Sequence, residues 1–483
     1  MRHKKTKLIN KVKTYMNKAK HWLKNNKQHT ALIIFVLLFA LVGSTWVVLS
    51  RAAIYSVALE AESGTLASSA TQISDTTASN NAAVQFSSSI INGILLGSNE
   101  PNQDPAQLIA AETALGRQFD VVRVFHPSWT TNYNFAEEIG YANKGYVVHT
   151  SSKVWGSWKQ VSDDLRNPSS NRRLEVEKLA VDTQTKMPGP FFITFNHEPE
   201  NDTIDPLQGK SEQDFADMFC AFNFVFKSKG NTKAKFATVA IPDYYHSNQS
   251  TGAKFYPGDQ CADWNGVDAY NFFKNENPTS WRTWAQVIKN QNSDGTSRPE
   301  TGWYQWATKD FTGQACTILN NPTCYGYVKN LNGTQEPKQA KGKKPLTVAE
   351  WGSSEYYACT SPGCTTPHAQ DANKKGEWYR QAVIDYKGLP QIKVAVHWGD
   401  VKVSGQTTGW HCFGVDQRFN TTLPAVTTCS TDLATVPTSY TAPTFTAFKA
   451  IATNDYLWIT KSLAEGTASS PAAQKRFQFI NAQ

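Results

Sequence analysis

The chain has 483 residues, enough for two or three domains or one large barrel, and its 40% hydrophobic content excludes a wholly disordered protein. The net charge is +8, but ten of the 48 Lys and Arg residues lie in residues 1–30, which contain no Asp or Glu. The other residues therefore carry 38 basic and 40 acidic side chains, without the basic excess that nucleic-acid binding requires, so we expect no nucleic-acid partner.

The basic segment precedes an uncharged apolar run. Residues 31–49 contain no charged side chain, and nineteen residues are enough to cross the hydrocarbon core of a bilayer as a helix. We predict that residues 1–30 form a cytoplasmic tail and residues 31–50 a single-pass signal anchor, which places the rest of the chain outside the cell at its membrane. The alternatives are a cleaved signal peptide, which would give a secreted protein, and a buried core helix.

Residues 51–90 are rich in Ser, Thr and Ala. Two stretches in them, 57–66 and 82–86, alternate apolar and polar residues like short strands. The first reads VALEAESGTL and resembles the opening of the β-sandwich carbohydrate-binding modules of families 6 and 35. Because the resemblance covers only about 35 residues and such a module needs over a hundred, we interpret 51–90 as a linker or a remnant of a module.

From residue 91 onward, short apolar runs alternate with helical patterns. Parallel strands covered on both faces are continuous in apolarity, and eight strand–helix units indicate an α/β fold, a (β/α)8 TIM barrel over 91–483. A doubly wound sheet would need a Gly-rich phosphate turn after the first strand, which is absent. The predicted strands cover 93–97, 119–125, 145–149, 190–196, 236–241, 264–270, 345–349 and 392–397. The predicted helices cover 105–115, about 135–143, 172–185, the region around 215–226, 377–387 and 443–457.

Eight cysteines follow the apolar run. The sequence has no Cys-x-x-Cys motif and no His at zinc-binding spacing, so we expect disulfides in an oxidising compartment and no metal. Local spacing suggests three pairs and leaves a fourth: Cys316–Cys324, Cys359–Cys364, Cys412–Cys429 and Cys220–Cys261.

Two predicted strands end in a glutamate. The fourth ends in FNHEPE (195–200) and the seventh in VAEWG (348–352). Barrel active sites lie where strands end, and two converging carboxylates can hydrolyse a glycosidic bond. We therefore predict Glu198 as the acid/base and Glu350 as the nucleophile. Glu200 has the same strand parity as Glu198, but Pro199 lacks an N–H and ends the strand, which favours Glu198.

These motifs resemble glycoside hydrolase clan A, whose barrels carry the acid/base on strand four and the nucleophile on strand seven. His197, where most of the clan has Asn, is similar to family 26, the β-mannanase family. The phrases EWG (350–352) and DWNGVDAYN (263–271) also resemble that family, over about residues 91–460. The resemblance implies a retaining endo-β-glycanase. It also implies that Tyr270 donates a hydrogen bond to the nucleophile, that Trp398 floors the −1 subsite, and that His197 hydrogen-bonds sugar or nucleophile.

Further aromatic and polar side chains near strand ends or in the last insertion are candidate sugar contacts. They are His126, Trp129, Tyr244, Tyr245, Trp410 and His411. The stretch PENDT after Glu198 departs from the family, so β-glucan and xylan stand beside β-mannan as substrates. The alternative function is a catalytically silent surface lectin or adhesin on a glycosidase barrel. We expect no cofactor and a monomer.

Overall fold

The chain divides into two units, Met1–Ile90 and Ile91–Gln483, at the position where its composition changes. The computed structural model describes residues 70–74, 82–86, 93–99, 105–126, 134–202, 204–245, 251–271, 281–289, 291, 302–310, 312, 326–339, 341–353, 372–398 and 443–483.

The first unit contains a two-stranded antiparallel hairpin. Ala70–Ser74 pairs with Ala82–Phe86, with Ala70 opposite Phe86. The strand predicted at 82–86 is confirmed, whereas the strand predicted at 57–66 and the apolar run 31–49 lie outside the described residues. None of the helices in the described part of the chain has the length and apolarity to cross a membrane.

The second unit is built on a closed barrel of eight parallel strands, which confirms the predicted fold. The strands follow one another around the barrel in chain order, and the eighth pairs with the first. We call them the first to eighth barrel strands. In chain order they are Leu95–Asn99, Val121–His126, Val147–Ser152, Phe191–Phe195, Ala234–Ala240, Trp264–Asn271, Leu346–Ser353 and Ile392–His397.

Helices cover the outside of the barrel, and each predicted helix is present within a few residues of its predicted ends. Ser211 and Asp214 form a capping box at the start of one of them, which satisfies free backbone N–H groups there. The α-helices are Pro105–Leu115, Ala136–Asn143, Trp158–Arg166, Asn171–Lys186, Glu212–Ser228, Thr251–Lys254, Trp284–Lys289, Trp303–Thr308, Ala372–Lys387, Pro443–Ala452 and Pro471–Asn481. Short 3-10 helices are Pro199–Asn201, Pro206–Gln208 and Pro242–Tyr245, and a hairpin pairs Tyr327–Lys329 with Gln335–Pro337.

The last helix, Pro471–Asn481, packs at the amino ends of the barrel strands. Phe477 packs there with interior side chains such as Leu95 and Val121. The buried Arg476 forms an ion pair with Asp120 at 2.7 Å. Because this helix packs against the amino ends, we expect the active site at the carboxyl ends of the strands.

A disulfide joins Cys220, in the helix Glu212–Ser228, to Cys261, just before the sixth barrel strand. This is the pair that was left after the three pairs suggested by local spacing, and it is confirmed. The other six cysteines lie outside the described residues.

Candidate active site

The chain turns abruptly after the fourth strand, Phe191–Phe195, and this turn carries the half-buried Glu198. Asn196 and Glu198 adopt positive φ angles of 60° and 50°. The N–H of Asn196 donates to the carbonyl of Ser152 at 2.7 Å, and that of Glu198 donates to the carbonyl of Val239 at 2.9 Å. The turn is thereby fixed to both neighbouring strands. Such backbone strain outside glycine is typical of functional sites.

A bulge in the seventh strand directs Glu350 into the barrel. Val348 lies opposite Val267 in the sixth strand and Glu350 lies opposite Asp268, so Ala349 is an extra residue. Val348 packs in the outer core, and strict alternation would turn Glu350 outward as well. The extra residue resets the alternation, as β-bulges near active sites do.

Three carboxylates converge where these strands end. One oxygen from each of Glu198, Asp268 and Glu350 lies within 4.8 Å of the others. Three carboxylates at this spacing could bind a divalent cation, but two of them already pair with the positively charged side chain of Arg123. Arg123 Nη1 lies 2.9 Å from Asp268 Oδ1 and 3.0 Å from Glu350 Oε1.

Arg123, in the second strand, is a site residue that sequence reasoning missed. Its side chain is fully buried, with the guanidinium 4.6 Å from the Phe125 ring centroid. Burial is the largest single influence and lowers the pKa of Arg123. The charges of Asp268 and Glu350 and the hydrogen bond to Asp268 together outweigh it, so the pKa lies above its ordinary value. A signal was present, because an arginine within the apolar run FDVVRVF needs a buried acidic partner.

The surroundings of Glu198 suit a proton donor. Burial raises the pKa of this carboxyl above its ordinary value, and the charge of Asp202 acts in the same direction. A hydrogen bond of 3.0 Å from Asn201 Nδ2 and the charges of Arg123 and Lys153 oppose the increase in the pKa. A carboxyl with a raised pKa retains its proton for a leaving group.

Glu200 is a second carboxyl on the same loop, in the 3-10 helix Pro199–Asn201, and only 6% of it is exposed. Burial raises its pKa to about 8, and the nearby charge of Glu198 contributes. Glu200 is therefore a buried acid behind Glu198 rather than an exposed loop carboxylate.

His197, next to Glu198, packs against the second and third strands. Its Nδ1 is 2.7 Å from Ser151 Oγ, and its ring lies edge-on to Phe125 with centroids 5.7 Å apart. Lys153 Nζ donates to the His197 carbonyl at 2.8 Å and pairs with Asp202 at 3.2 Å. These contacts hold the Glu198 loop against the third strand.

Tyr270 contacts Glu350, and Trp398 packs beside Tyr270. The hydroxyl of Tyr270 donates a hydrogen bond to Glu350 Oε2. Burial, and then the charge of Glu350, raise the pKa of Tyr270 well above its usual value, so the hydroxyl remains a donor. The ring of Trp398 is half-buried and lies edge-on to Tyr270 and Phe125, with centroids 6.4 and 5.4 Å away. A contact between Trp398 and sugar stays a prediction.

His126 lies in the second strand with Arg123 and Phe125, but its side chain points in another direction. Arg123 and Phe125 face the barrel interior, whereas the His126 ring is directed to the helix layer. Its Nε2 lies 2.8 Å from the buried Glu138, which also accepts a hydrogen bond from Thr150. This pairing gives no support to a sugar contact for His126, which stays a prediction.

The remaining candidates follow the fifth strand or lie outside the described residues. Tyr244 belongs to the 3-10 helix Pro242–Tyr245 after the fifth strand. Tyr245 is buried, with its ring centroid 4.9 Å from that of Trp306. The candidates outside the described residues are Trp129, Trp410 and His411.

Comparison with known proteins finds similarity to solved structures at low sequence identity. No family model and no curated protein matches the chain. A solved structure of a family 26 β-mannanase from Bacteroides ovatus shares 11% identity, with 76% of this chain and 90% of that chain covered and a TM-score of 0.41. A Cellulomonas fimi endo-β-1,4-mannanase double mutant shares 13% identity, covering 79% of this chain and 73% of that chain, with a TM-score of 0.39.

A structure from a study of two fungal β-1,4-galactanases shares 12% identity, covers 67% of this chain and 90% of that chain, and has a TM-score of 0.40. The chain itself forms a closed barrel of eight parallel strands, with Glu198 shortly after the fourth strand and Glu350 in the carboxyl-terminal half of the seventh. Because one fold serves many functions, the side chains at these strand ends, and not the fold, bear on the function.

Proposed function

We propose that the protein is a retaining endo-β-glycanase acting on a β-linked polysaccharide. β-Mannan is the first candidate substrate, and β-glucan and xylan are the next candidates. The observation that carries the proposal is the convergence of Glu198 and Glu350, which have carboxylate oxygens within 4.8 Å of each other. Retaining glycosidases hold their two carboxyls about 5–5.5 Å apart, whereas inverting enzymes leave room for a water molecule at about 6.5–9.5 Å. The close pair favours direct attack by the nucleophile.

The residues have distinct tasks in a double displacement. Glu198 protonates the glycosidic oxygen while a Glu350 oxygen bonds to the anomeric carbon and the leaving sugar departs. Glu198, now deprotonated, takes a proton from water, whose oxygen attacks the same carbon and releases Glu350. The ion pair with Arg123 and the hydrogen bond from Tyr270 favour the anionic, attacking form of Glu350.

Substitution of each of the two glutamates should impair a different step of the reaction. Glu350→Ala cannot form the glycosyl-enzyme, so even an activated aryl β-glycoside should stall, and added azide should give a glycosyl azide of inverted configuration. Glu198→Ala should still be glycosylated by a substrate whose leaving group needs no proton, and azide should then release a product of retained configuration. NMR of the azide products measures both outcomes.

Glu200→Gln is the matched control, and it should turn over polysaccharide as the parent does. Inverted configuration of the parent's product would contradict the mechanism. A Glu198→Ala variant as active on polysaccharide as the parent would also contradict it, with Glu200 as the acid to test next. Reducing-sugar release from mannan, xylan, mixed-linkage glucan and cellulose ranks the substrates, and release from none of them would contradict the proposed class.

We also propose that a signal anchor displays the barrel outside the cell. The support is the ten basic residues ahead of the uncharged run 31–49. The disulfide Cys220–Cys261 fits an oxidising compartment. Full-length protein should sediment with membranes, resist carbonate extraction and be cleaved by protease added outside cells. A mature form in the medium that begins after residue 50 would contradict the anchor.

A further inference from the structure

The short loop that carries Glu198 is closed at its base by a hydrogen bond between side chains. Residues 196–202, which we call the acid/base loop, follow the fourth barrel strand directly. At the two ends of this loop, Asn196 Nδ2 donates to Asp202 Oδ2 at 2.6 Å. Asn196 has a φ of 60°, which residues other than glycine rarely adopt. The hydrogen bond to Asp202 therefore helps to fix a backbone conformation that is otherwise unfavourable.

A lysine from the neighbouring strand binds the acid/base loop at two points. Lys153 directly follows the third barrel strand. Its Nζ donates to the carbonyl of His197 at 2.8 Å and lies 3.2 and 3.3 Å from the two carboxylate oxygens of Asp202. The side chains of Lys153 and Asp202 are 30% and 29% exposed, so the ion pair is partly shielded from water. Lys153 thereby attaches the loop to the third strand on both sides of Glu198.

The position of this loop decides where the proton donor lies. Glu198 has a φ of 50°, and its Oε2 accepts a hydrogen bond from Asn201 of the same loop at 3.0 Å. A catalytic group displaced by about 1 Å can lower the rate about 100-fold. Because Glu350 belongs to the seventh strand, contacts that hold the acid/base loop act on the proton donor and not on the nucleophile.

The two charges of the ion pair act on Glu198 in opposite directions. The charge of Lys153 lowers the pKa of Glu198, and the charge of Asp202 raises it. Removing one partner should therefore shift this pKa with a sign that depends on which partner is removed. Other titratable groups face or adjoin Glu198 from the loop and from the second, sixth and seventh strands, and they are kept in every variant below. They are Arg123, His197, Glu200, Asp268, Tyr270 and Glu350.

We propose that Lys153 and Asp202 are positioning residues, which hold the acid/base loop so that the Glu198 carboxyl reaches the glycosidic oxygen. The inference rests on the proposed glycanase function. Lys153 joins the loop to the third strand, and Asp202 joins Lys153 to the start of the loop at Asn196. Because the two charges are opposite and adjacent, the pair anchors the loop while its effects on the acidity of Glu198 oppose each other.

The first test is the pH dependence of kcat/KM for the full-length protein, on the polysaccharide from which the parent releases most reducing sugar. The alkaline limb of this profile reports the loss of the proton from Glu198. Lys153→Met should move the limb to higher pH and Asp202→Asn should move it to lower pH, each by roughly half a pH unit. The double variant lacks both charges and should return the limb towards its parental position.

The second test compares two leaving groups. Lys153→Met should lower kcat/KM on the polysaccharide about tenfold at the parental optimum, and the double variant should keep this loss because its loop is still unanchored. A dinitrophenyl β-glycoside needs no proton to release its leaving group, so its kcat/KM should change little. Lys153→Arg keeps the charge and the donors and should retain most of the activity. Lys178→Met is the matched control, because it removes a lysine paired only within the helix Asn171–Lys186, and it should behave as the parent does in both tests.

The outcomes separate the inference from the function beneath it. An alkaline limb that stays in place, or that moves in the same direction in both single variants, would overturn the inference and leave the glycanase standing. Equal losses of Lys153→Met on both substrates would also overturn it, because Lys153 would then support the whole fold. Where Lys153→Met does not fold, a limb that Asp202→Asn leaves unmoved overturns the inference by itself. A parent protein without turnover on any glycoside would instead overturn the proposed function.

Discussion

At the residue scale, the main feature of the site is a group of buried charged side chains. Arg123 forms ion pairs with both Asp268 and Glu350, and its positive charge also acts to lower the pKa of Glu198. Burial raises the pKa of Asp268 well above its ordinary value, although Arg123 opposes that increase. Removing one partner from such a buried group leaves the others uncompensated, which is costlier than losing a surface ion pair. The three acids and the arginine therefore act as one electrostatic unit.

Glu200 allows a pH-dependence to be predicted with a definite sign. Its pKa rises from an ordinary 4.5 to about 8 in the folded protein. Between these values the folded state binds one proton more than the unfolded chain, so the free energy of unfolding falls as the pH rises, by about 1.4 kcal/mol per pH unit from this group. The full contribution is present below the unfolded value and is lost as the pH approaches 8.

Glu200→Gln removes this titration but keeps the shape of the side chain. The variant should therefore gain stability over the parent progressively from about pH 5 to pH 8 and show a constant difference at lower pH. Urea unfolding at several pH values measures the difference. Glu137→Gln, at an exposed position on the helix Ala136–Asn143, is the control and should show no such trend. A difference between Glu200→Gln and the parent that is the same at every pH would refute the assignment.

At the element scale, the helix Pro471–Asn481 is the clearest case of packing that supports the barrel. Arg476 pairs with Asp120 and donates to the carbonyl of Gly145, next to the starts of the second and third strands. The ring of Phe477 packs on Gly189, where a Cβ would approach it to 2.5 Å. The helix covers the amino end of the interior with apolar side chains and satisfies a buried acid there.

Phe477→Ala should destabilise the barrel by about 3–5 kcal/mol, because a buried aromatic is replaced by a cavity. Gln478→Ala, an exposed neighbour on the same helix, should change stability by less than about 0.5 kcal/mol. Denaturant unfolding with a common slope measures both. Equal effects from the two substitutions would show that the helix does not pack as described.

The elements were predictable to different degrees. The eight barrel strands were found from sequence because parallel strands buried on both faces form uninterrupted apolar runs. Trp158–Arg166 and Pro471–Asn481 were missed. In Trp158–Arg166 a local signal was present and overlooked, because Trp158, Val161 and Leu165 lie on one face at helical spacing and Ser157 caps the start. In Pro471–Asn481 the large apolar residues crowd at the carboxyl-terminal end, so the helical period is weak there and packing against the barrel stabilises the helix.

At the scale of the whole molecule, a disulfide joins a helix outside the barrel to the segment just before the sixth strand. Cys220 and Cys261 are fully buried and separated by 41 residues. Replacing both by Ala should lower the free energy of unfolding by about 4 kcal/mol in the chain-entropy model. Thermal unfolding with and without reductant measures this, and the difference between the parent and the double variant should disappear when both are reduced. A reduced parent as stable as the oxidised one would contradict the prediction.

The sequence alone determined the order of the strands and the two glutamates, because both depend on local patterns along the chain. Only the tertiary structure decided which side chains meet. Alternation says that two residues lie on opposite faces of a strand, but barrel closure decides that Arg123 faces inward and His126 outward. The extra residue Ala349 inverts the alternation before Glu350, and the turn at Glu198 depends on hydrogen bonds to both neighbouring strands. These contacts join residues far apart in the chain, so no local pattern records them.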